Sequence, residues 1–131
     1  MSYSLKKHEI LRSKKKIKEL FENGSSFFLY PYKVFVLKNT STETNQVLFS
    51  VSKKYFKKAV DRNLIRRRLR EAYRLNKMLL NDPQNEAFSI SIALVYISKF
   101  KLPYIEIENK LKQVFVRLNK TVYKTKYNEE I

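Results

Sequence analysis

The stretch Lys53–Lys77, KKYFKKAVDRNLIRRRLREAYRLNK, carries eleven basic residues and two acids, Asp61 and Glu71. At about 100° per residue on a helix, its residues separate into two faces. Arg62, Asn63, Arg66, Arg67, Arg70, Arg74 and Lys77 fall within an arc of about 140°. Leu64, Ile65, Leu69, Ala72, Leu75 and Leu79 lie opposite, spaced as a helix that packs on a core. Arg68 alone points into the apolar arc and is expected to snorkel at its edge. A face meant only for water would mix charges to limit self-repulsion, whereas this one is nearly all positive. The pattern therefore predicts a packed helix whose outer face binds a polyanion.

The rest of the chain agrees with that charge. Its 131 residues suit one domain, and the formal net charge of +16 points to nucleic acid before an anionic membrane. Without cysteine there are no disulfides, Cys-based zinc sites or thiol catalysis. No run of about 18 apolar residues is present and the N-terminus lacks a signal-peptide core, so a cytoplasmic protein without a membrane partner is expected.

On either side of the basic stretch the pattern is that of a small α+β domain. Ser13 is placed to cap a helix bearing Ile17, Leu20 and Phe21 on one face, with Asn23-Gly24 as its stop. Lys14, Lys15, Lys16 and Lys18 crowd its N-terminal half, where the helix dipole disfavours cations, so phosphate contact is the simplest reason for them. Residues 32–38 alternate as a strand, with Tyr32, Val34 and Val36 on one face and Lys33, Phe35 and Leu37 on the other. Residues 46–52 alternate likewise, and the polar link 39–45 suggests that the two strands form a hairpin. On the second strand Gln46, Leu48, Ser50 and Ser52 share a face whose small residues leave room for a ligand or for water. A breaker at 81–85 precedes a nearly continuous apolar strand at 88–97, expected to be covered on both faces. Pro103 then starts a helix with Ile107, Leu111, Val114, Phe115, Leu118 and Val122 at helical spacing. The ends, 1–9 and 124–131, are expected to be loosely held.

Nothing in this text assembles an active site. His8 is the sole histidine, Gly24 the sole glycine, and the acids are scattered without metal-ligand spacing. No catalytic residue and no metal ligand is therefore assigned.

The segment 59–71, AVDRNLIRRRLRE, resembles the signature helix of the bacterial ribonuclease P protein subunit, and Ser50-Val51-Ser52-Lys53-Lys54 resembles that family's strand end and turn. The similarity extends over roughly 11–118. Leu64 departs from it, standing where the family has a second Arg, and the turn at 55–58 is longer and more basic. The resemblance implies a mixed sheet of about four strands with an unusual left-handed βαβ crossover. It also implies RNA contacts at Arg62, Asn63, Arg66, Arg67 and Arg70, to which the run of basic residues adds Lys53, Lys54, Lys58 and Arg74. A cleft for the 5′ leader of precursor tRNA would be lined by Ile17, Phe21, Phe35, Ser50 and Lys54, with Ile17 replacing a ring. The implied partners are a catalytic RNA subunit and precursor tRNA, with no obligate protein partner. Mg²⁺ is implied at the RNA centre, which performs the endonucleolytic cut, and none on the protein alone. A ribosomal or other structural RNA-binding protein would share the charge and size. A DNA-binding module fits less well, because the basic helix is central and followed by a buried strand.

Overall fold

In a computed structural model, residues 4–39, 44–80 and 88–122 are described. The expected tail at 124–131, most of the strand link and the breaker at 81–85 lie outside them. The elements run α1 (Lys14–Asn23), β1 (Ser25–Leu29), β2 (Tyr32–Asn39), β3 (Gln46–Val51), α2 (Ala59–Asn76), β4 (Ser89–Tyr96) and α3 (Tyr104–Thr121). This is the α+β class with a four-stranded mixed sheet in the order β1-β2-β4-β3.

The order corrects the expected hairpin. β2 does not pair with β3. It pairs antiparallel with β1 on one side and β4 on the other, while β3 runs parallel to β4. The physical reason lies in β4 itself, where every residue except Val95 is buried. A local hairpin of β2 and β3 would leave this apolar strand at an edge, with its backbone groups unpaired. Between β2 and β3 it is hydrogen-bonded on both sides.

Each sheet face has its own cover. Tyr32, Val34 and Val36 face α2 and α3, together with Val47, Val51, Ile90, Ile92, Leu94 and Tyr96. Onto them α2 lowers Ile65, Leu69, Ala72 and Tyr73, and α3 lowers Ile107, Leu111, Val114, Phe115 and Leu118. A Leu or Ile so buried contributes about 1.5–3 kcal/mol. The Tyr32 hydroxyl donates to the Ile107 carbonyl at 2.8 Å, tying the start of α3 to the sheet. The opposite face carries a smaller core of Leu11, Leu20 and Ala93, flanked by Ile17, Phe35, Leu37, Leu48 and Val95. Among the described residues its cover is the ten-residue α1 and Leu11 just before it. This face is the more open one.

The β3–α2–β4 crossover is left-handed. Val47 turns its side chain toward the helices and its carbonyl outward, accepting from the Leu11 amide at 2.9 Å on the edge away from β4. For an L-residue in an upward strand seen from its side-chain face, the carbonyl points right, so β4 lies to the left of β3. The usual rule for such units is the opposite.

The N-terminal segment, expected as a loose arm, is held from Ser4 onward. Lys77 Nζ donates to Glu9 and to the Ser4 carbonyl, Gln46 donates to the His8 carbonyl, and Ile10 bridges Val47. Ser13 caps α1 as expected, accepting from the Lys16 amide. Gly24 ends it for want of space: a Cβ there would sit 2.4 Å from the Leu20 carbonyl oxygen and 2.9 Å from that of Val36.

Candidate RNA interface

Two surfaces carry the residues singled out by sequence. The first is the outer face of α2 with the loop that leads into it. Asn63, Arg67 and Arg70 are exposed, and Arg62, Arg66 and Arg74 are half-buried along the same arc. Arg66 donates to Asn63 Oδ1 at 2.8 Å, which fixes both side chains on the helix surface. Arg62 turns back instead, and its Nη1 donates to the carbonyls of Phe56 and Lys57, each at 2.8 Å. It therefore clamps the loop that buries Phe56 against Tyr96. Arg74 is forked onto Glu71; through this contact the Arg74 pKa is raised and the Glu71 pKa lowered. Asp61, the other acid of the stretch, is paired with Lys101 at 2.8 Å. Both acids thus have cationic partners, and Arg67, Arg70, Lys53, Lys54, Lys57 and Lys58 are the exposed positive charge of this face. Arg68, expected to snorkel, is half-buried and donates to the Leu102 carbonyl at 2.8 Å.

The second surface is the open sheet face. Strand register sets side chains in rows across it. One row runs Ser26–Phe35–Ala93–Leu48 and the next Phe28–Lys33–Val95–Ser50. α1 lies over the first row. Phe21 meets Phe35 edge to face, with ring centroids 4.7 Å apart, and Ile17 packs on the same small core. Phe21 keeps 39% of its surface exposed, so its ring is a wall of the face as well as part of the packing. Three of the five cleft residues thus converge. Ser50 lies on the same face two strands away from Lys33. Lys54 follows β3 in an exposed turn held by its amide to Ser52 Oγ, with its ammonium 5.8 Å from the Tyr55 ring.

One residue of this face, Phe28, escaped the sequence reading, and another, Lys33, was placed on it without a role. Phe28 is 64% exposed at the edge of β1, and the Lys33 ammonium stands 5.0 Å from its ring centroid and 5.1 Å from that of Phe35. The signal in the text was Phe27-Phe28, three and four residues beyond Gly24, which was not read as a strand.

Among the described residues no group of three or more His, Cys, Asp or Glu is arranged to hold a metal ion. Nor is any helix there long and apolar enough to cross a membrane. The arrangement offers cations for phosphate and rings for bases, the two contacts that an RNA strand provides.

Comparison with known proteins fits this geometry. The family model described as Ribonuclease P matches residues 5–119. The chain is 33% identical over 120 residues to the ribonuclease P protein component of Porphyromonas gingivalis, covering 89% of this chain and 88% of that one. It is 39% identical over 127 residues to the same component of Chlorobium phaeobacteroides, covering 88% and 85%. Among solved structures, the RNase P protein of Thermotoga maritima superposes with a TM-score of 0.69 at 23% identity, covering 83% of this chain and 96% of that one. The Staphylococcus aureus RNase P protein gives 0.68 at 21% identity, covering 86% and 95%. These two structures bear on the fold alone.

Proposed function

The chain belongs to the bacterial ribonuclease P protein family, and from that premise we propose how its two surfaces serve the enzyme. It is the protein component of a ribonucleoprotein endoribonuclease that processes tRNA, with catalysis in the RNA subunit. The observation that carries the division of labour is the separation of surfaces: cations without rings on α2, rings with a cation on the open sheet face.

In this reading α2 docks the catalytic RNA. Arg67 and Arg70 are exposed along one helix, where charge-assisted contacts to phosphate give affinity and register. Asn63 holds Arg66 in place beside them. Lys53, Lys54, Lys57 and Lys58 continue the positive surface toward the sheet. Leu64, half-buried, stands where the family pattern it resembles has an Arg, and in this reading gives up one RNA contact. The open sheet face holds the unpaired 5′ leader of precursor tRNA, with Phe35 and Phe21 stacking bases and Ser50 and Lys54 at the margin. Ile17 fills the floor with an aliphatic group instead of a ring. The cations offset the mutual repulsion of the two RNAs, and the open face holds the leader extended.

Mg²⁺ in this proposal belongs to the RNA centre. In the same proposal this chain contributes charge and position. The site of action is the cytoplasm.

Reconstitution tests the reading. Purified protein, the cell's own catalytic RNA and precursor tRNA, mixed at low Mg²⁺, should yield a mature 5′ end, and neither macromolecular subunit alone should do so under those conditions. Protein that binds ribosomal RNA tightly but leaves 5′ cleavage unchanged would favour the structural RNA-binding alternative.

A further inference from the structure

Phe28, Lys33 and Phe35 stand in sequence across two antiparallel strands, ring, ammonium, ring. Phe28 pairs with Lys33 in the β1–β2 register, and Phe35 follows Lys33 by two residues on the same face of β2. The single ammonium lies about equally far from both rings, at 5.0 and 5.1 Å, which places the two ring centroids within about 10 Å of each other. Phe35 is half-buried and braced by Phe21, whereas Phe28 is 64% exposed at the edge strand. A phenylalanine this exposed gives little to the core, and a bare sheet edge ordinarily carries charge in its place.

We propose that Phe28 is a second stacking site for single-stranded RNA, next to that of Phe35, and that Lys33 neutralises the phosphate between the two stacked bases. The inference rests on the leader-binding role of the open face. The spacing suits neighbouring nucleotides of one extended strand, and the chemistry suits an unpaired strand: π-faces for bases that need no particular sequence, and one cation at the linking phosphate. In the free protein the Lys33 ammonium covers both ring faces. An exposed cation–π contact is weaker than base stacking, so an entering strand displaces it. The ammonium then moves from the rings to the phosphate without leaving the groove. This device costs the free protein nothing in exposed unpaired charge and lengthens the leader that the protein can read by one stacked base.

The test uses the reconstituted holoenzyme and precursor tRNAs whose leaders are lengthened one nucleotide at a time, with mature tRNA as reference. In the wild type, affinity should rise in two steps, one for each ring. Phe28→Leu keeps an apolar side chain but no π-face. It should remove the second step, a loss of about fivefold or more on long leaders, and leave short leaders and mature tRNA unchanged. Phe28→Trp should restore the step. Lys33→Gln should lower the salt slope of long-leader binding by about one phosphate's worth. Phe35→Ala is the control for the parent reading. If Phe35→Ala lowers the precursor preference while Phe28→Leu leaves every leader length unchanged, the second site is overturned and the leader groove stands. If neither variant changes the preference for precursor over mature tRNA, both fall.

Discussion

Arg62 and Arg70 lie on the same arc of α2, and the sequence treats them alike; the structure does not. Arg62 spends Nη1 on two loop carbonyls, one of them belonging to the buried Phe56. Replacing it with alanine removes two hydrogen bonds from a charged donor. The bond to Phe56 is partly buried and is worth about 1–2 kcal/mol, and the exposed bond to Lys57 about 0.5 kcal/mol. Arg62→Ala should therefore destabilise the free protein by roughly 1.5–2.5 kcal/mol. For a domain of this length that is a fall in Tm of about 5–10 °C. Arg70→Ala, at an exposed position, should stay within about 0.5 kcal/mol of wild type. Affinity for the catalytic RNA should show the reverse emphasis, with Arg70→Ala losing about 1–3 kcal/mol where a charge-assisted phosphate contact goes. Urea denaturation of the free protein and filter binding of the RNA, measured on both variants, decide it. Equal stability of the two variants would refute the clamp. A destabilised Arg70→Ala would refute its assignment as a purely RNA-facing charge.

Other outcomes follow from the same surfaces. If about 6–10 phosphates are contacted, RNA affinity should fall by roughly 10³–10⁵-fold between about 50 and 200 mM salt, and a flat salt dependence would argue against the polyanion face. Gly24→Ala should cost about 1–3 kcal/mol, because its Cβ would press on two backbone carbonyls that cannot swing aside; a melting temperature equal to wild type would show that α1 shifts freely. The Glu9 carboxyl is pulled up by burial, but the Lys6 amide and Lys77 outweigh this and leave its pKa below the usual value of 4.5. Its folded form therefore binds the proton less readily than the unfolded chain. The stability it contributes is complete above about pH 4.5 and is lost as pH falls through the lowered value. Glu9→Gln should flatten that part of the acid limb, as read from urea midpoints across the acid range.

Much of this architecture was legible because its physics is local. The one-signed arc of α2 follows from helical spacing alone, and so does the buried ridge Ile65–Leu69–Ala72. The same rule misplaced Leu75 and Leu79, expected in the core but exposed: the buried face of α2 is centred on Ile65, Leu69, Ala72, Tyr73 and Asn76, which leaves Leu75 on its flank, and Leu79 falls in the 3₁₀ turn Lys77–Leu79 after the helix has ended. Their place is taken by Tyr73, whose ring meets Phe49 and Phe115, and by Asn76, which donates to the Ala72 carbonyl and to Glu108. A polar residue buried through its hydrogen bonds leaves no mark in a hydrophobic pattern. Strand pairing was the least legible part. Nothing within β2 or β3 says that β4, some forty residues beyond β3, will come between them; only the apolar run 90–96, seeking cover on both sides, requires it. β1 was missed because its segment, SSFFL, shows no alternation, and with it went Phe28. The cleft residues Phe21 and Phe35 could be paired through the family resemblance, but the 4.7 Å contact between them needed the fold.

The central claim is that the two surfaces meet two different RNAs. Since the chain has no cysteine, a single one introduced on each surface gives a unique attachment point for a short photo-crosslinker. In the holoenzyme bound to precursor tRNA, a crosslinker at Arg70→Cys should attach to the catalytic RNA. One at Phe21→Cys should attach to the precursor's 5′ leader and find no leader when mature tRNA is supplied. Crosslinks from both positions to the same RNA, or leader crosslinks from Arg70→Cys in place of Phe21→Cys, would contradict the account.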